Sequence, residues 1–85
     1  MTGGLKMKIR KTILSDAELN IFIYENKKDE YFVVAVPTLE WSTKFTYDDF
    51  GEELLNQIIH SLSSKLDEQE AITLGHRINQ WTREM

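Results

Sequence analysis

Apolar and polar residues alternate along the first half of the chain and take up helical spacing in the second. From Met7 to Leu14, the residues Met7, Ile9 and Ile13 fall on one side, with Lys8, Arg10 and Thr12 on the other. This predicts a strand with its apolar side inward. Ser15-Asp16-Ala17-Glu18 reads as a polar connection. Leu19 to Glu25 and Glu30 to Val36 are rich in Ile, Val, Phe and Tyr, which suit strands. The charged turn Asn26-Lys27-Lys28-Asp29 joins them into a hairpin.

Placing Asn26 opposite Asp29 pairs Tyr24 with Tyr31, Ile23 with Phe32 and Ile21 with Val34. One face then carries Leu19, Ile21, Ile23, Phe32, Val34 and Val36. The other carries Phe22, Tyr24, Tyr31, Val33 and Ala35, and is more aromatic. A one-residue slip would exchange the two sets. Pro37 lacks an amide donor and ends the third strand. Glu40 to Tyr47 forms a fourth, with Trp41, Thr43, Phe45 and Tyr47 alternating against Ser42, Lys44 and Thr46.

From Asp48 the apolar residues Phe50, Leu54, Leu55, Ile58, Ile59, Leu62 and Leu66 form one helical stripe, with Asp48 as expected N-cap. A second helix starts near Asp67, which with Glu70 resembles a capping box, and buries Ala71, Leu74, Ile78 and Trp81. The expected fold is α+β: a four-stranded antiparallel meander in the order 1-2-3-4, followed by two helices packed on one face. The first strand is then an edge, and Lys8, Arg10 and Lys11 guard it against uncontrolled pairing.

The 85 residues make one domain, expected over residues 7–85, with Met1–Lys6 as a flexible leader and Met7 as an alternative start. So short a chain buries only about 60–65% of its unfolded surface, and self-association adds burial that the monomer lacks. The chain has no cysteine, which favours a reducing compartment and removes thiol chemistry and zinc ribbons. No apolar run reaches membrane-spanning length, and the first residues lack a signal-peptide core, so the expected location is cytoplasmic. Net charge is −4, with a basic N-terminal stretch (Lys6, Lys8, Arg10, Lys11) and an acidic second half.

Candidate chemistry is sparse. His60 and His76 lie off their apolar stripes and read as surface histidines without a ligand set. Asp48, Asp49, Glu52 and Glu53 lack the calcium-loop pattern and fit a helix start. Gly51 and Gly75 form no phosphate cradle; Gly75 beside the Ala71/Leu74/Ile78 stripe suggests close helix packing. No catalytic, metal or cofactor residues are assigned, and a non-enzyme is expected. Trp41 and Trp81 read as core residues whose indole N–H needs an acceptor.

The aromatic sheet face remains. Two helices cover one face of a four-stranded sheet, so Phe22, Tyr24, Tyr31 and Val33 are left on the other side, together with Lys8 and Arg10. An uncovered apolar face marks an interaction surface. The expected function is a small non-enzymatic interaction module that forms a homodimer or binds another protein, with no membrane partner. A nucleic-acid platform using Lys8, Arg10, Tyr24 and Tyr31 is the alternative, although the element order and the missing glycine–aromatic motif differ from an RRM. A small enzyme or metal protein using His60, His76 or the acidic cluster is the third reading.

The run Met7-Lys8-Ile9-Arg10-Lys11, the hairpin Tyr24-Glu25-Asn26-Lys27-Lys28-Asp29-Glu30-Tyr31, the segment Val36-Pro37 to Glu40-Trp41-Ser42 and the ending Gln80-Trp81-Thr82 resemble the YueH-like family of small bacterial proteins. The resemblance covers residues 7–85 and implies a cytoplasmic bacterial protein. It supplies no catalytic residues.

Overall fold

In the computed structural model, which describes residues 5–85, the chain reverses at Ser15-Asp16 with both residues in left-handed backbone, φ 49° and 69°. Two successive positive φ values make a type I′ turn, whose twist matches that of the strands it joins. The turn therefore closes a tight hairpin between β1 (Leu5–Leu14) and β2 (Ala17–Asn26). β3 (Tyr31–Val36), a 3₁₀ turn (Pro37–Leu39) and β4 (Trp41–Thr46) follow. The strands form one antiparallel sheet in the order β1-β2-β3-β4, and α1 (Gly51–Leu62) and α2 (Glu68–Arg83) complete the α+β ββββαα fold. Residues 1–4 of the expected leader lie outside the described residues; Leu5 and Lys6 belong to β1.

The helices lie on the sheet face carrying Leu19, Ile21, Ile23, Val34 and Val36. These join Leu14, Trp41, Phe45, Leu54, Ile58, Leu62, Ala71, Leu74 and Ile78 in one core. Trp41 is buried and its Nε1 donates to Ser61 Oγ at 2.9 Å, which satisfies the indole where α1 ends over β4. Asp67 caps α2 by accepting from the Glu70 amide at 2.8 Å. α2 runs back along the hairpin: Ser15 Oγ donates to Glu70, and the Arg77 guanidinium donates to Thr12 Oγ1.

Four expectations are corrected. The β2–β3 register is offset by two residues, with Asn26 opposite Tyr31 and Ile23 opposite Val34. Asn26 meets Asp29 with its side chain instead, Oδ1 accepting the Asp29 amide at 2.9 Å. Because the offset is even, each residue keeps its face. β1 is inverted. The two-residue turn sets Ile9 opposite Phe22 and Arg10 opposite Ile21, so Met7, Ile9 and Ile13 face away from the helices and Lys8 and Arg10 face towards them. At the sheet margin the long basic side chains can lay their stems on apolar surface and reach water with their heads.

The third and fourth concern the start of α1. Asp48 is not its cap; Phe50 holds that position without a side-chain hydrogen bond, while Asp49 accepts from the Thr46 amide at 2.9 Å and ties off β4. Gly51 enters the helix at φ +68°, a turn that requires glycine-like freedom. Phe50 is 74% exposed and stands outside the core that its stripe predicted.

Candidate interaction surface

The sheet face away from the helices is built from Met7, Ile9, Lys11 and Ile13 on β1 and Glu18, Asn20, Phe22 and Tyr24 on β2. Tyr31, Val33 and Ala35 on β3 and Ser42 and Lys44 on β4 complete it. Phe22, Tyr24, Tyr31 and Val33 are half-buried, shielded only by their neighbours in the sheet. Tyr24 is paired directly with Val33, and the Tyr24 and Tyr31 rings lie 6.0 Å apart in a tilted arrangement. Lys44 Nζ sits 4.4 Å from the Tyr31 ring centre, a cation–π contact. Asn26 Nδ2 reaches both phenol oxygens at 3.5 Å, the long limit of a hydrogen bond. Desolvation, with Tyr31 alongside, raises the Tyr24 pKa above the ordinary phenol value.

Sequence reasoning brought these four residues to one face but missed the most exposed part of it. Met7, Ile9 and Ile13 are 58%, 53% and 66% exposed beside Phe22 and Tyr24. The signal was available in the turn. A two-residue connection at Ser15-Asp16 pairs Leu14 with Ala17 and fixes the side to which every β1 residue points.

The same inversion divides the expected nucleic-acid platform. Tyr24 and Tyr31 lie on the open face, whereas Lys8 and Arg10 point to the helix side, so the four do not form one stacking surface. His60 and His76 are exposed on separate helices. Among the described residues no group of three or more His, Asp or Glu side chains stands close enough to hold a metal ion. No helix among them is long and apolar enough to cross a membrane.

A second feature lies at the opposite layer. The start of α1 and the end of α2 part over β3 and β4, leaving an open cleft of about 320 Å³ lined by Phe32, Phe45, Tyr47, Phe50, Asn79 and Arg83 among others. Phe32 stacks on Phe45 at 5.3 Å and meets Tyr47 at 5.5 Å. Behind that wall Glu25 is buried, accepting from the Tyr47 hydroxyl with Oε2 and leaving Oε1 without a partner. The hydrogen bond to Glu25, with burial, pushes the Tyr47 pKa up to about 12.

Comparison with known proteins gives a family and no activity. The chain is similar to the uncharacterised protein YueH of Bacillus subtilis (strain 168), 34% identical over 82 residues, covering 93% of this chain and all of that one. No solved structure matches it. The model of the YueH-like protein family matches residues 8–84, and the chain belongs to that family.

Proposed function

We propose that this protein is a small non-enzymatic interaction module that works in the cytoplasm and self-associates through its open sheet face. The observation that carries the reading is the uncovered apolar ridge of Met7, Ile9 and Ile13, more than half exposed and continuous with Phe22 and Tyr24. Scattered exposed apolar residues need no explanation, but a contiguous patch on a regular surface marks a contact site.

A second copy fits this face on two grounds. Its charges are self-complementary: Lys11 and Glu18 lie on neighbouring strands of the same face, so a two-fold axis can set each against the other's counterpart. Its size is also suitable. The long hairpin is ~33 Å by strand rise, and the sheet is four strands wide, which gives a face near the ~800 Å² per partner of a standard interface once side-chain relief is included. A cysteine-free composition supports a reducing setting.

Size-exclusion chromatography with light scattering at high micromolar concentration tests the reading. A dimer is expected, with Tyr24→Glu weakening it at least tenfold and Tyr24→Phe leaving it intact. A strict monomer refutes self-association, and an unchanged association constant in Tyr24→Glu removes the sheet face as the contact.

A further inference from the structure

β1 ends the sheet, and among the described residues it has a hydrogen-bonded neighbour on one side only. The two-residue turn decides which backbone groups are left over. It makes Leu14 and Ala17 the closing hydrogen-bonded pair, so in alternation Thr12, Arg10, Lys8 and Lys6 direct their amides and carbonyls to β2. Met7, Ile9, Lys11 and Ile13 direct theirs outward. The outward ladder therefore belongs to the same residues whose side chains form the exposed ridge.

The two sides of this edge differ in chemistry. On the open face it presents Met7, Ile9 and Ile13; on the helix side it presents Lys6, Lys8 and Arg10. β1 carries four cations and no acidic side chain, in a chain of net charge −4. Two observations show that these charges are incompletely matched. Arg10 Nε is buried with no hydrogen-bond acceptor. Lys27 crowds Lys6 and holds its ammonium below the ordinary lysine range, although Glu25 opposite it pulls the other way.

We infer that β1 accepts an added strand from another protein: an extended segment in which apolar and acidic residues alternate. Its backbone completes the outward ladder, its apolar side chains cover Met7, Ile9 and Ile13, and its carboxylates meet Lys6, Lys8 and Arg10. The cations that discourage edge pairing are selective here. A second β1 would set cation against cation, and a basic or neutral strand would leave them unmatched; an acidic strand is the partner they admit. The strand adds its backbone at the edge of the sheet but shares Met7, Ile9 and Ile13 with the face-to-face contact proposed above, so the two partners compete for that ridge.

The test uses the full chain and a synthetic peptide alternating Glu with Val and Tyr. Two comparison peptides have Lys in place of Glu, or the same residues in non-alternating order. Amide NMR reports the site, and fluorescence anisotropy reports affinity. Expected is saturable binding of the alternating acidic peptide, weakening as salt rises, with slowed exchange at the Met7, Ile9, Lys11 and Ile13 amides. Both comparison peptides bind at least roughly tenfold more weakly. Ile9→Pro, which removes an outward donor, abolishes the binding. Lys6→Glu/Lys8→Glu, at two exposed positions, reverses the preference between the Glu and Lys peptides. Equal affinity for the acidic and basic peptides overturns the inference. So does exchange protection confined to Phe22, Tyr24 and Val33, or a single-stranded RNA that protects the β1 amides more strongly than the peptide.

Discussion

Replacing Gly75 by alanine sets two well-characterised effects against each other. In an ordinary helix interior the change gains about 1 kcal/mol of helix propensity. Gly75, however, is fully enclosed where α2 crosses α1, and a Cβ there would lie 2.6 Å from Ile59 Cγ1 and 3.7 Å from Ile59 Cα. Carbon atoms prefer a separation of about 3.5–4.0 Å, so the Ile59 side chain must retreat by about 1 Å. Cγ1 sits one bond from Cβ and cannot swing aside as a side-chain tip can. Overpacking of this kind costs about 1–3 kcal/mol, so the net result for Gly75→Ala is a loss of about 1 kcal/mol. In a domain of this size that lowers Tm by about 4–8 °C. Urea unfolding followed by circular dichroism measures it directly. Ile59→Ala supplies the second side of the cycle: with Cγ1 and Cδ1 gone, Gly75→Ala should become stabilising by about 1 kcal/mol, a coupling of about 2 kcal/mol. A Gly75→Ala protein more stable than wild type, or one whose change is the same with and without Ile59, would refute the close helix approach.

Other outcomes follow from local backbone and charge. Gly51→Ala meets no atom within 4 Å, so its cost is that of a left-handed alanine alone, about 1–2 kcal/mol in the same urea assay. Asp16→Gly relieves a non-glycine residue at φ 69° in the type I′ turn and should raise stability by about 0.5–1 kcal/mol; a lower urea midpoint would contradict the turn assignment. Tyr47 should ionise near pH 12 in an ultraviolet titration, because its hydroxyl proton is held by Glu25. Its folded pKa is above the unfolded value, so the stabilisation is complete below about pH 10 and is lost as pH rises towards 12. Tyr47→Phe should therefore flatten the fall in Tm across that interval, and an unchanged alkaline profile would remove the role of the hydrogen bond.

Much of the architecture was legible because the periodicity of the apolar residues and the burial agree. Leu19, Ile21 and Ile23 alternate into the core, Leu54, Ile58 and Leu62 follow one helical stripe into it, and Asp67 caps the helix that its position announced. β1 misled for a physical reason. Its apolar residues Met7, Ile9 and Ile13 suggest an inward side, but the strand's orientation is imposed by the turn that joins it to β2, and Ser-Asp is not the Asn-Gly pair that marks a type I′ turn. The four named aromatic and aliphatic residues were assigned to their correct face because β2 and β3 carry unequal faces. An even register error leaves such an assignment intact. The cleft was not legible. It depends on Tyr47 reaching Glu25 across the sheet and on Phe50 turning out at Gly51, and neither leaves a mark in local spacing.

The meander has a consequence for the order in which the molecule loosens. Each strand pairs only with its neighbours in sequence, and β1 is held through β2, the Thr12–Arg77 contact and the Ser15–Glu70 contact. Of the two edge strands β4 buries Trp41 and Phe45 in the core and β1 only Leu14, so peeling starts from the amino end. Hydrogen exchange under native conditions should release β1 well before β2 and β3, each of which is clasped from both flanks. The segment with the least to lose on opening is also the one that offers its backbone to the surroundings.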